Sequence, residues 1–106
     1  MSPYPRARAA VTPLPSGTVT FLFTDIEGST RLWESQQAAM QAALPRHDEL
    51  FRQCITNHGG HVFKTGGDAF CAAWHTASDA LAAALAAQRA IHTERWPQSA
   101  KLRVRM

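Results

Sequence analysis

The sequence predicts an α+β fold, a two-layer sandwich with helices over one face of a largely antiparallel sheet. Three observations carry that reading. Apolar, β-rich runs at TVTFLFT (18–24), HVFKT (61–65) and DAFCAAW (68–74) alternate with stretches of helical spacing. Two of those runs are separated only by glycines, the mark of a hairpin. The last run, KLRVRM (101–106), alternates apolar with basic residues at the period of a half-buried strand.

Each element follows from its residues. The first run reads as a buried strand that ends at Asp25, with Glu27 close behind. Gly28 breaks the pattern, and Ser29 or Thr30 is expected to cap a helix through Leu32 and Trp33. A second helix is expected with Pro45 in its first turn and with Leu50, Phe51, Cys54 and Ile55 on one side. Asn57-His58-Gly59-Gly60 supplies the residues that end such a helix in a left-handed turn. Gly66-Gly67 then predicts a type I′ hairpin turn, which needs positive φ at both central positions. Thr76-Ala77-Ser78-Asp79 resembles a capping box and opens an alanine-rich helix, with Leu81, Leu85 and Ile91 on roughly one side.

The resulting order, βααββαβ, is that of a ferredoxin-like sandwich. Because the last strand is cut short, the chain reads as a domain truncated on its C-terminal side. Residues 1–16, rich in Pro, Ala and Arg, read as a flexible N-terminal tail, and residues 17–106 as the domain.

Composition narrows the function classes. With 106 residues, 45% hydrophobic and 18% charged, the chain fits one ordinary globular domain. The net charge of +3 comes from Arg6, Arg8, Lys101, Arg103 and Arg105 near the ends. The remaining stretch is slightly acidic, so a nucleic-acid partner is not expected. No apolar run reaches membrane-spanning length. Cys54 and Cys71 lie in apolar surroundings without a pairing motif and are expected as reduced, buried thiols of a cytoplasmic protein. The five histidines, His47 included, show no zinc spacing and are expected in turns or at the surface. Trp33 and Trp74 are expected as packing anchors.

Asp25 and Asp68 are the acids to weigh. Each sits at a strand end beside glycine, and if the two strands are neighbours both carboxylates project at one end of the sheet. Such a pair suits hard, oxygen-preferring cations such as Mg²⁺, which take one or two carboxylates plus phosphate oxygens. Gly28-Ser29-Thr30 at a helix start offers backbone N–H groups to a phosphate. The plainer alternative is that Asp25 caps the next helix and Asp68 stabilises its turn by a local hydrogen bond. Lys64 in a two-residue hairpin would pair with Ala69, and Thr65 would face Asp68. Lys64 is then expected to point away from the Asp25/Asp68 site of its own chain.

Together, TVTFLFTDIEGSTRLWE and HGGHVFKTGGDAFCAAW resemble the catalytic domain of class III adenylate/guanylate cyclases, from about Gly17 to the end of the chain. The resemblance implies that Asp25 and Asp68 hold two Mg²⁺ or Mn²⁺ ions, with the Ile26 carbonyl as a further metal contact. It implies that the Glu27, Gly28, Ser29 and Thr30 backbone meets the substrate phosphates and that Lys64 reads the purine. The implied reaction is cyclisation of ATP, with GTP possible, to the 3′,5′-cyclic nucleotide and pyrophosphate. The implied partner is a second cyclase domain, as a head-to-tail homodimer or in pairing with a complete cyclase, with metal and purine residues on opposite chains.

The same resemblance implies that the second purine-reading residue and the asparagine and arginine that act on ribose and transition state lie beyond Met106. The chain is therefore expected to cover about the first half of a cyclase domain and to be weakly active or inactive alone. A truncated homologue that only binds nucleotide and metal, or only dimerises, is the non-enzymatic alternative. GGDAF differs by one residue from the signature of GGDEF-type diguanylate cyclases, but Ala69 removes an acid of that signature. DIEGST is similar to the nucleophile motif of haloacid-dehalogenase-type phosphatases, whose parallel strand–helix–strand order is absent here. An RNA-binding sheet lacks its aromatic stacking signature.

Overall fold

A computed structural model describes residues 14–106; most of the expected tail, residues 1–13, lies outside the described residues. The elements are β1 (Thr20–Ile26), α1 (Ser29–Ser35), α2 (Gln37–Asn57), β2 (His61–Gly66), β3 (Ala69–Trp74), α3 (Ala77–Thr93) and β4 (Val104–Arg105). The sheet order is β2-β3-β1-β4, with every neighbouring pair antiparallel. β3 thus lies between β1 and β2, the split arrangement of a ferredoxin-like sandwich, as the element order predicts.

Only one face of the sheet is covered. Thr24, Ile26, Phe70, Ala72 and Trp74 are buried in a core with residues of α2 and α3. The opposite face is open, and there Phe21 and Phe23 are 54% and 59% exposed. The expectation of a wholly buried first strand therefore fails: strand alternation sends every second side chain to the uncovered face.

The helices depart from the sequence reading in four places. The N-cap of α1 is Gly28 in the left-handed conformation, with no side-chain cap, in place of Ser29 or Thr30. α2 runs through Pro45 instead of starting there. Pro45 and Gln41 are both exposed, so the carbonyl that loses its i+4 partner faces water. His47, expected at the surface, is fully buried, because Met40, Ala43, His47 and Leu50 recur on the inward face of α2. In α3 the inward face is Ala80, Ala83, Ala87 and Ile91, while Leu81 and Leu85 are 71% and 49% exposed. Alanines let the helix approach the sheet closely, and the leucines are left outside.

Other local readings hold, apart from the burial of the cysteines. α2 ends in a Schellman motif, with Gly60 N–H donating to the Ile55 carbonyl at 2.8 Å, Gly59 N–H to Thr56 at 3.0 Å, and Gly59 at φ 77°. The Thr76 hydroxyl accepts from the Asp79 N–H at 3.2 Å and caps α3. Leu102 and Val104 are buried while Lys101, Arg103 and Arg105 are exposed, although only Val104–Arg105 pairs as strand. Trp74 is buried and Trp33 packs against the same core. Both cysteines are free but half-buried, not buried as expected.

The hairpin turn sits one residue later than expected. Gly66 pairs with Ala69, so the two turn residues are Gly67 and Asp68. Only Gly67 takes positive φ (57°), which excludes a type I′ turn and matches the sign pattern of type II′. Asp68 therefore belongs to the turn and not to the strand. Thr65 pairs with Phe70 and Lys64 with Cys71, replacing the expected Thr65–Asp68 and Lys64–Ala69 pairs. A bulge between Val62 and Lys64 leaves Phe63 unpaired, 48% exposed, and in contact with Phe21 and Phe23 on the open face.

Candidate active site

β1 carries Asp25 and Ile26 to the end of the sheet, and the antiparallel β1–β3 pairing brings the Gly67-Asp68 turn beside them. A cleft of about 680 Å³ opens there, lined by Asp25, Ile26, Gly28, Ser29, Thr30, Arg31, Glu34, Asp68 and Arg105. Six of the sequence-selected residues meet in it. Two do not. Glu27 lines a different hollow against α3, and its N–H is already bonded to the Arg103 carbonyl at 2.7 Å, so that amide is not free for a phosphate. Lys64 lies on β2, outside the cleft, and shares the Cys71–Phe23 row of the open face. Its separation from the carboxylates matches expectation, through a register different from the one argued.

The two acids do not play the plainer roles. Asp25 caps no helix, since α1 has no side-chain cap. Asp68 does not brace its own turn: its Oδ2 accepts the Ile26 N–H at 2.9 Å, across 42 residues of sequence. That bond fixes the end of β1, and with it the carbonyl of Ile26, against the hairpin.

Arg105 is one of three cleft residues, with Arg31 and Glu34, that sequence reasoning passed over. It stands opposite Asp25 in the β1–β4 register. Its Nε and its Nη2 donate to Asp25 Oδ1 and Oδ2, both at 3.0 Å, a two-point fork. Hydrogen bonding to Asp25, then the charges of Asp25, Glu27 and Asp68, raise the guanidinium further above its already high ordinary value. The signal was present in the alternation of KLRVRM, which places Arg105 on the face opposite Leu102 and Val104. What the sequence lacked was the strand partner. Arg31, from the first turn of α1, adds a second cation to the rim, and Glu34 a third carboxylate.

The donor set is all oxygen: two carboxylates and a strand-end carbonyl. Next to it are the first amides of α1, which have no intrahelical acceptor. Hard divalent cations and phosphate oxygens fit such a set. Among the described residues no group of three or more His, Cys, Asp or Glu side chains is placed to hold a metal ion. Any ion here would take the two aspartates plus backbone and substrate oxygens.

Comparison with known proteins gives the family. Residues 11–106 match the family model described as the adenylate and guanylate cyclase catalytic domain. The chain belongs to that family. An adenylate cyclase of Podospora anserina is 42% identical over 89 residues, covering 83% of this chain and 4% of the relative. An uncharacterised protein of Mycobacterium tuberculosis is 47% identical over 77 residues, covering 71% of this chain and 27% of the relative. Among solved structures, an adenylate cyclase of Trypanosoma brucei in its monomeric state superposes with a TM-score of 0.74 at 36% identity, covering 77% of this chain and 36% of that one. The monomeric guanylyl cyclase domain of the RhoGC fusion protein from Blastocladiella emersonii gives a TM-score of 0.72 at 19% identity, covering 82% of this chain and 56% of that one, a likeness of fold alone. The chain thus spans a small part of the length of the relatives it matches. Among its described residues no helix is long and apolar enough to cross a membrane.

Proposed function

We propose that this chain forms the metal- and phosphate-binding part of an adenylate cyclase active site, which converts ATP to 3′,5′-cyclic AMP and pyrophosphate. The observation that carries the reading is one cleft holding Asp25, Asp68, Ile26 and the Gly28–Thr30 turn. Asp25, Asp68 and the Ile26 carbonyl would hold two Mg²⁺ or Mn²⁺ ions. Bound there, such ions lower the pKa of the ribose 3′-hydroxyl and offset charge on the phosphoryl oxygens.

The chain's own residues orient the substrate. The amides of Ser29 and Thr30 receive phosphate oxygens, and Gly28, at φ 67°, lets the backbone turn sharply enough to present them. Arg31 and Arg105 add guanidinium forks at the same rim, suited to planar, two-point recognition of phosphate. The family resemblance gives Lys64 the reading of the purine, and its place outside its own cleft on the open face is compatible with serving a partner chain's substrate.

A head-to-tail homodimer, or pairing with a complete cyclase domain, gives that face its role. Phe21, Phe23 and Phe63 touch one another there at centroid distances of 5.7–6.4 Å, all about half exposed. A solvent-facing aromatic cluster of this kind suits burial against a second domain.

Incubating the purified chain with ATP or GTP and Mn²⁺ and measuring cyclic nucleotide tests the reading. Cyclic AMP that disappears in Asp25→Asn supports it. Metal-dependent ATP binding without cyclic AMP, also after mixing with a complete cyclase domain whose own metal-binding aspartates are replaced, points to the non-catalytic alternative, a homologue that binds nucleotide or pairs with a complete cyclase. Cyclic di-GMP from GTP contradicts both.

A further inference from the structure

We propose that Arg105 is a built-in counter-cation for Asp25, which a divalent ion must displace, so that the Arg105–Asp25 pair sets the metal affinity of the cleft. The inference rests on the metal-binding reading of Asp25 and adds to it a competitor supplied by the same chain.

Geometry carries the argument. Both oxygens of Asp25 are taken by the guanidinium fork, at 3.0 Å each. A carboxylate bonded at both oxygens by one cation keeps one further lone pair on each oxygen, so the competition is chiefly of charge: a second cation meets the first at close range. Backbone register enforces the pairing: Asp25 and Arg105 face each other across β1 and β4, so neither side chain has to reach. Asp68 differs, since its Oδ2 is held by an uncharged amide of Ile26, which neutralises nothing. Glu27 and Asp68 add their charges to that of Asp25 in holding the Arg105 guanidinium protonated.

The pair is also built to release. Its side chains are 64% and 47% exposed, and exposed ion pairs are weak. Arg105 is thus a shallow competitor: it neutralises Asp25 in the absence of metal and yields to a divalent ion at modest cost.

Mn²⁺ titration without nucleotide, followed by the electron paramagnetic resonance signal of the free ion, tests this in the full chain. Arg105→Gln is expected to bind Mn²⁺ about three- to tenfold more tightly than the parent chain, from loss of one nearby charge and one exposed pair. Arg105→Lys, which keeps the charge but not the fork, is expected between the two and serves if Arg105→Gln does not fold. Asp25→Asn is expected to bind least. In parallel, the Arg105 Nε–H resonance should shift as Mg²⁺ is added to the parent chain. Unchanged or weaker Mn²⁺ binding in both Arg105 variants, with Asp25→Asn still impaired, overturns the counter-cation role and leaves the metal site standing. No Mn²⁺ binding in any variant overturns the metal reading and the proposal together.

Discussion

The Ile26 N–H donates to Asp68 Oδ2 at 2.9 Å, so the β2–β3 turn is tied to the end of β1 by a carboxylate that also faces the cleft. Structure and charge can be separated at this residue. Asp68→Asn keeps an acceptor for Ile26 and is expected to melt within a few degrees of the parent while losing divalent-ion binding. Asp68→Ala is expected to lose both, with about 1–2 kcal/mol of stability gone. Thermal melts with and without Mn²⁺ check it; an Asp68→Asn protein that still binds metal normally would contradict it.

Gly60 sits flush against the buried Trp74 indole, and a Cβ added at Gly60 would run into that ring. Its φ is not in the left-handed region, so the requirement for glycine is steric and not conformational. Gly60→Ala is expected to destabilise the fold by about 1–3 kcal/mol through forced repacking. Denaturant midpoints measure it, and an unchanged midpoint would refute the close packing.

His47 is buried against Phe51 and Phe70, and its Nε2 has no hydrogen-bond partner among the described residues. An apolar side chain of similar size removes an unsatisfied group at the cost of the Nδ1 contact with Asp48 at 2.9 Å. His47→Leu is therefore expected to be neutral or to raise stability by up to about 1 kcal/mol. A loss above about 2 kcal/mol would mean that His47 has a partner in solution.

Burial pushes the Cys54 thiol above its ordinary value. The sign follows from linkage: a raised folded pKa means stability that is complete below the ordinary thiol range and falls as pH rises through it. Between pH 7 and 10 the melting temperature of the parent is expected to fall more than that of Cys54→Ala. Alkylation of Cys54 at pH 8 is expected to be slower than that of a free thiol. Equal pH profiles for the two proteins would contradict this.

The Phe21, Phe23 and Phe63 cluster predicts self-association through the open face. Phe23→Ser with Phe63→Ser should leave secondary structure and melting nearly unchanged, because both rings are exposed, while shifting the molecule toward monomer in sedimentation. An unshifted oligomer would place the interface elsewhere.

Most of the fold was legible because local chemistry and tertiary position agree. Gly59-Gly60 ends α2, Thr76 caps α3, and the KLRVRM alternation buries Leu102 and Val104, all as patterning alone predicts. What sequence missed depends on which faces meet. A run such as TVTFLFT has no marker for which alternate residues a helix layer covers, so Phe21 and Phe23 could not be told from Leu22 and Thr24. In α3 the alanines took the inward face that size alone would give to leucines. Turn placement also needed the partner strand: Gly66-Gly67 permits more than one two-residue loop, and the paired register with β3 decided it. The same gap hid Arg105, whose meaning depends on standing across from Asp25.

One measurement bears most directly on the cleft as a metal–nucleotide site: the thermal shift of the chain on adding ATP with Mn²⁺, compared with the Asp25→Asn/Asp68→Asn double variant. Saturating ligand should stabilise the parent by about 1–3 kcal/mol, a rise of roughly 4–20 °C for a domain this size. The rise should need both components and vanish in the double variant. A shift that persists without Asp25 and Asp68 would contradict the central claim, and so would its absence from the parent chain.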